Sequence, residues 1–422
     1  MKAPNPFRPG KRLMRPDLFA GRTPQLEAGL SLLRQAADGN ARHALITGER
    51  GIGKSSLSSQ IQGMAIGNPE SLDLLGPDTP SFDFLVAEYI AQEGDGVQAI
   101  SSGLLDALNR TRGRTFKGLN WAVDLDFKLV KAHLTEASSS RDATTAFVDA
   151  LEKVWQGVEK HADGMLLVID ELDRIADSPG LPTFLKVATE MLSSRGLEHV
   201  ALMPVGMVGV QDILAAEHPS TARIFQNIPV PLLVPEECLA IVDRALASTG
   251  VLIEEDANVT IANLSGGFPH PVHLIGSEAY DVDTDGIIDA TDVARALTLI
   301  IAERSRQELD SSLIVAGSGK NRLIIKSLAN YLIQHNSRDV PIAHVCEELG
   351  VTQSDISSNI RNLMERDVIV RVDRGVYRIK DALFHIYVGM LDDLGSEPVE
   401  RRARKRRPSA SRRVHLPKQM EG

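Results

Sequence analysis

Cysteine is nearly absent: the 422 residues contain Cys238 and Cys346 and no other. The two lie far apart, so neither a disulfide framework nor a cysteine-ligated metal site is expected, and the usage suits a reducing, cytoplasmic compartment. Aromatic residues make up only 4%, so aliphatic side chains must fill the cores. No run approaches the ~20 apolar residues of a membrane-spanning helix. Met1 to Gly10 has no apolar stretch of the kind a signal peptide carries. No membrane partner is therefore expected, and no internal repeat is visible. What is present is the mixture of a globular protein, 43% apolar and 24% charged, in a chain long enough for about two to four domains. The net charge of −10 is unevenly spread. Arg401, Arg402, Arg404, Lys405, Arg406, Arg407, Arg412, Arg413 and Lys418 lie in a segment without acids, so the rest of the chain is more acidic than the total. An acidic body with a basic tail marks an interaction arm. The low apolar content after Gly395 predicts disorder there.

The most specific local pattern is Gly48-Glu49-Arg50-Gly51-Ile52-Gly53-Lys54-Ser55, followed by Ser56. It fits G-x-x-x-x-G-K-[ST], a loop whose backbone N–H groups wrap the phosphates of a nucleotide. Glycine allows that turn because no Cβ obstructs it. Lys54 supplies a cation for the β/γ-phosphates and Ser55 a hydroxyl for Mg²⁺. An apolar strand, His43 to Thr47, precedes the loop. A helix starting near Ser55 follows it, and its N-terminus favours an anion. Residues 48–56 are the expected ATP-binding segment.

The second pattern is Leu166-Leu167-Val168-Ile169-Asp170-Glu171. A buried strand ending in two acids delivers Asp170 to hold Mg²⁺ and Glu171 to act as general base on water. Further strands are expected at Ala44–Thr47, Phe84–Glu88 and Val200–Val205, separated by helices such as Thr145–Lys160 and Phe184–Ser194. This alternation predicts a parallel sheet between helices. The expected order is an N-terminal arm lying across the surface (1–18), an α/β core (19–232), an all-helical segment (233–310), a linker (311–320), a second folded unit (321–395) and the basic tail (396–422). Arg110–Gly118 reads as a basic loop.

Residues 19 to about 300 resemble AAA+ ATPases of the origin-recognition/initiator type and the related signal-transduction ATPases. Phe19-Ala20-Gly21-Arg22 looks like the short motif that lies near the adenine in those families. Asp170-Glu171-Leu172-Asp173 looks like their Walker B. The resemblance implies an α/β P-loop NTPase core, an all-α lid and a C-terminal winged-helix domain, with ATP and Mg²⁺ as cofactors and hydrolysis as the activity. Ser220-Thr221-Ala222-Arg223-Ile224-Phe225 resembles the segment carrying the arginine finger. That implies a role for Arg223 at the γ-phosphate of a neighbouring subunit in an ATP-dependent homo-oligomer. A surface salt bridge is the alternative for Arg223. Gly266-Gly267-Phe268-Pro269-His270 resembles the lid motif and implies that Pro269 packs near the nucleotide. Two departures point to slow hydrolysis. His270 stands where initiator-type members carry an arginine sensor, and Gly206-Met207-Val208 stands where a polar sensor is expected.

Asp281 to Asp292 matches the spacing of an EF-hand calcium loop, with acids at 281, 283, 285, 289 and 292 and Gly286 at the turn. The competing interpretation is an acidic connector in which Asp289 or Thr291 caps a helix. Farther on, Arg322–His335 reads as an amphipathic helix with Leu323, Ile324, Leu328, Leu332 and Ile333 inward. Ile342–Leu349, a turn at Gly350 and a helix capped by Thr352 and Asp355 follow. Ile356, Ile360 and Leu363 should face the core. Gln353, Ser354, Ser357, Ser358, Asn359 and Arg361 should face out. Two strands flank Asp373-Arg374-Gly375. Three helices and a hairpin resemble a winged helix. Two functional readings stand. In one, nucleotide state is coupled to DNA, with phosphates contacted by the wing (Arg371, Arg374, Arg378, Lys380) and the tail. In the other, a slow signalling or defence switch uses the winged helix to bind protein.

Overall fold

The structure, a computed structural model, describes residues 2–111, 115–116, 119–120, 139–304, 309–335 and 337–390. They belong to two compact units, residues 1–296 and 297–422. The basic tail lies outside the described residues, as does most of the loop expected at Arg110–Gly118.

The first unit is built on five strands: β1 (His43–Gly48), β2 (Phe84–Ile90), β3 (Gly164–Asp170), β4 (Val200–Met207) and β5 (Phe225–Val230). Their order in the sheet is β2-β3-β4-β1-β5, and every neighbouring pair is parallel. All of β3 is buried, as a strand covered on both faces requires. The helices α1 (Thr23–Ala37), α2 (Lys54–Ala65), α3 (Val97–Arg110), α4 (Ser140–Val158) and α5 (Leu181–Ser194) accompany the sheet. Leu104, Phe147, Leu151 and Phe184 pack with Leu85, Leu167 and Ile169 in one apolar cluster, which is aliphatic apart from a few rings. Strand β1 sits between β4 and β5, whereas the next strand in the chain, β2, lies at the far edge. The loop leaving β1 therefore opens at a topological switch point beside the ends of β3 and β4, where parallel sheets bind ligands.

This unit also contains α6 (Pro235–Leu246), α7 (Glu255–Ser265) and α8 (Pro269–Val282), and a further helix, Ala290–Arg304, begins within it. The segment is not purely helical as expected: Leu252–Ile253 pairs in parallel with Ile287–Ile288. In the N-terminal arm Arg8, Lys11, Met14 and Arg15 are exposed, while Phe7, Leu13 and Leu18 are buried and pin it down, because exposing three large apolar side chains would forgo their burial energy.

The calcium-loop pattern resolves as a connector. Asp283 is buried and pairs with Lys2 at 2.7 Å. It also accepts the N–H groups of Asp285 and Gly286 at 3.0 Å each. Asp289 and Asp292 cap the following helix, with Asp292 N–H to Asp289 Oδ1 at 2.9 Å. Among the described residues, no group of three or more acidic, His or Cys side chains is placed to hold a metal ion. Asp283, Asp285, Asp289 and Asp292 serve backbone donors, with Lys2 at Asp283 and Arg295 at 3.8 Å from Asp292.

The second unit contains α9 (Lys320–His335), α10 (Ile342–Leu349), α11 (Gln353–Glu365), β6 (Ile369–Asp373), β7 (Val376–Ile379) and α12 (Ala382–Met390). Strands β6 and β7 form an antiparallel hairpin, and Val340–Pro341 adds to β7. Gly350 takes the left-handed turn at φ 62°. Thr352 and Asp355 form the expected reciprocal cap, with Thr352 N–H to Asp355 Oδ2 at 2.9 Å. Ile356, Ile360 and Leu363 are buried. Two expectations fail. Residues 311–320 are not a linker: Asp310–Ala316 is a helix whose Leu313 and Ala316 join the core of this unit. Leu323 is not inward but exposed.

Candidate active site

Gly48 closes β1 with no room for a side chain. A Cβ there would lie 2.9 Å from Ile52 Cγ2 and 3.1 Å from the Val230 carbonyl oxygen. Gly51 and Gly53 take φ of 78° and 97°, a region that favours glycine. Gly53 is the N-cap of α2, which begins at Lys54. The N–H groups of the first turn, through Ser55 and Ser56, therefore have no partner within the helix. Ile52 is buried and anchors the loop. Lys54 Nζ curls back onto the carbonyls of Gly48 and Glu49 at 3.0 and 2.9 Å. It also contacts the Met207 sulfur at 3.5 Å. Burial pushes this ammonium below the ordinary lysine value, while Asp173, Glu171 and Asp170 oppose the shift.

Strand β3 delivers the acids as expected. Asp170 is buried and its Oδ1 accepts the Glu171 N–H at 2.8 Å. Glu171 adopts a left-handed backbone, φ 59°, uncommon for a side-chain-bearing residue and frequent at functional sites. Its carboxylate pairs with Arg174 at 3.1 Å. Asp173 receives the Met207 N–H at 3.1 Å and so fixes the end of β4 between the loop and β3.

These residues share one cavity of about 580 Å³, lined by Arg50, Gly51, Gly53, Lys54, Ser55, Ser56, Asp170, Glu171, Met207 and Pro269 among others. Arg8, Lys11 and Arg12 of the arm line it too, with Arg174, His270 and His273. Of these six, His270 is the residue at the sensor position of the lid motif, whereas Arg8, Lys11, Arg12 and Arg174 were not singled out from the sequence. The usable signal was the set of apolar residues Phe7, Leu13 and Leu18, which forces the arm inward and carries its basic neighbours along. Glu88 of β2, also unforeseen, binds Arg12 at 2.7 Å. The Ser56 hydroxyl accepts the Leu13 N–H at 3.0 Å, so its side chain holds the arm.

A smaller apolar cleft of about 30 Å³ shares Leu13, Gly53, Ser56 and Pro269 with the cavity. Its walls include Phe19, Ala20, Arg22, Ile52, Leu233 and Ile241. Arg22 is buried there and donates to the carbonyls of Ile52, at 3.2 Å, and Pro231. Its backbone N–H reaches Glu237 Oε1 at 3.0 Å. Pro269 opens α8 and closes over the loop, its Cγ 3.6 Å from where a Gly53 Cβ would sit. His273 is buried against Phe7, ring centroids 6.1 Å apart, and neither ring nitrogen has a hydrogen-bond partner. Burial pushes its pKa down to about 4, with His270 adding to the shift.

Arg223 is not brought into this cavity. It lies exposed on the short helix Thr221–Ile224 and forms no ion pair among the described residues.

The donor set fits a magnesium polyphosphate. The cavity offers a glycine cradle, first-turn N–H groups, and more cations than carboxylates. Asp170 and Ser55 are hard oxygen ligands of the kind magnesium takes in small number beside phosphate oxygens and water.

Comparison with known proteins agrees. Residues 18–197 match the family model described as an AAA ATPase domain. No curated protein matches the sequence. Two solved structures are similar over almost the whole chain. The ORC2 protein of Aeropyrum pernix, in ADPNP–ADP complexes, is 12% identical, covering 94% of this chain and 99% of its own, with a TM-score of 0.53. The Walker-type ATPase PABY2304 of Pyrococcus abyssi is 15% identical, covering 92% and 98%, with a TM-score of 0.52. At these identities the likeness speaks for fold: an α/β P-loop NTPase core of the AAA+ kind.

Proposed function

Given an AAA ATPase domain at residues 18–197, we propose that the protein binds MgATP between its sheet and the helices α6 to α8, hydrolyses it, and couples nucleotide state to DNA. The observation that carries the nucleotide reading is the shared cavity: Lys54, the loop glycines, Asp170 and Pro269 line it together although they are scattered over more than half the chain. The phosphates would take the first-turn N–H groups of α2 and the Lys54 ammonium. Lys54 would exchange two carbonyl acceptors for charged oxygens, a stronger pairing. Asp170 and Ser55 would hold magnesium, which supplies charge neutralisation at the phosphates. Glu171 would accept a proton from the attacking water once Arg174 releases it. The base would enter the apolar cleft beside Phe19, Ile52 and Pro269. Arg223, exposed and without an acid partner among the described residues, is suited to reach the nucleotide of a neighbouring copy.

For DNA, α11 and the β6–β7 hairpin of the second unit would act as a winged helix. The basic residues differ in availability. Arg378 is held by Asp339 at 2.5 and 2.7 Å, and Lys380 by Asp367 at 2.7 Å. Asn359 donates to Asn321 at 2.7 Å and is not the outward group expected. Phosphate contacts would fall to Arg361, Arg371 and Arg374, together with the tail.

A second reading, slow turnover in a switch protein, is favoured by Met207. Its thioether sits beside Lys54, where a polar group would orient water. The deciding experiment is MgATP binding by the wild type and Lys54→Ala. Loss of binding in the variant supports the site, and equal affinity removes it. ATP turnover with and without duplex DNA then separates the two readings.

A further inference from the structure

The N-terminal arm ties the lid to the phosphate pocket. Lys2 binds Asp283 just beyond α8, and Asn5 Nδ2 donates to the Ser277 carbonyl at 3.0 Å. Phe7 lies so close to Gly276 that a Cβ there would meet its ring at 2.5 Å. The Gly10 N–H donates to His270 Nδ1 at 3.0 Å. The arm then crosses to α2, where the Leu13 carbonyl accepts from Gln60 at 3.1 Å.

Arg12 stands at the crossing. Its Nη1 is 2.7 Å from Glu88 Oε1 and 3.7 Å from Asp170 Oδ2, and its Nε donates to the Ser59 hydroxyl. Its Nη2 is buried without any hydrogen-bond partner. A buried N–H with no acceptor is costly, and here it belongs to a cation lining the cavity. An anionic oxygen would complete it, and a guanidinium presents its N–H groups in a plane that suits phosphate. The position selects the phosphate. Arg12 lies beside Asp170, the acid that would hold magnesium, which would neutralise charge at the outer phosphates.

We propose that Arg12 determines specificity for a nucleoside triphosphate over the diphosphate, donating from Nη2 to the terminal phosphate of the nucleotide in its own chain. This rests on the MgATP reading above. A diphosphate leaves the same N–H unpaired, so it gains nothing from Arg12.

The test measures affinities of the full-length protein for ATP and for ADP, both with magnesium, by calorimetry. Arg12→Ala should weaken ATP by about tenfold or more and ADP by less than about twofold, the size of one charged hydrogen bond. Arg12→Gln, which keeps the stem and an amide donor to Ser59, carries the same expectation if the alanine variant does not fold. Equal weakening of both nucleotides would make Arg12 a packing residue and overturn the proposal, as would no change in either. A wild type that binds no ATP would instead overturn the underlying nucleotide reading, whereas wild-type ATP binding with an unaltered ATP-to-ADP ratio in the variants overturns this inference alone.

Discussion

The two units hold part of their positive charge differently. Around the cavity of the first, Arg8, Lys11 and Arg50 have no carboxylate partner among the described residues, and Lys54 rests on neutral carbonyls. In the second, Arg378 and Lys380 are each matched to an acid of the same unit, and Arg366 is tied to the Val315 carbonyl at 2.9 Å. Unmatched cations converging on a concave surface hold their electrostatic attraction for a ligand. Cations already matched to an acid contribute little beyond local structure. A count of Lys and Arg along the sequence does not show which of them are paired; the geometry does.

The largest effect that would sharpen this contrast is on catalysis. Glu171→Gln should keep ATP affinity and lower turnover by about 100-fold or more, followed by phosphate release. Undiminished turnover would place the base elsewhere. The contrast can also be broken by closing the cradle. Gly48→Ala puts a methyl against Ile52 and the Val230 carbonyl. It should cost about 1–3 kcal/mol of stability and weaken nucleotide binding, as seen by denaturant melts and calorimetry.

Acid sensitivity probes each unit from within. His273 and His43 have folded pKa values near 4, and His385 near 3, all through burial. The unfolded chain binds more protons between these values and the ordinary 6.5 of a free imidazole. Stability is therefore intact above about pH 6.5 and falls as the pH drops toward 4. His273→Asn should remove about 1–3 kcal/mol of that acid loss, read as a shallower dependence of melting on pH. The smallest effect lies on the hairpin. Arg371→Gln with Arg374→Gln should lower the salt slope of DNA binding by up to about two phosphate contacts. Arg378→Gln should leave the slope nearly unchanged.

Sequence patterns located the residues that line the first unit's cavity because those patterns are local. Eight consecutive residues define the loop, and four apolar residues followed by Asp170 and Glu171 define the acid strand. Four strands and the cap at Thr352 were legible for the same reason. What escaped was long-range. Strand β5 carries Gln226, Asn227 and Pro229 and alternates poorly, yet it is an edge strand where proline is tolerated. The arm's partners lie as far away as Asp283 for Lys2, and nothing in the spacing of Pro-rich residues names them. Residues 311–320 contain Gly-Ser-Gly and suggest a linker, but burial of Leu313 and Ala316 outweighs that composition. The pairing of Arg378 with Asp339 needs the fold before it can be seen.

The central claim is that the loop around Lys54 and the acid at Asp170 form one magnesium-nucleotide site. The most direct test is the affinity for ATP of wild type and Asp170→Asn, each measured with magnesium and with a chelator. The account predicts that magnesium tightens ATP binding in the wild type and that most of this gain vanishes in Asp170→Asn. An equal gain in both proteins would contradict it.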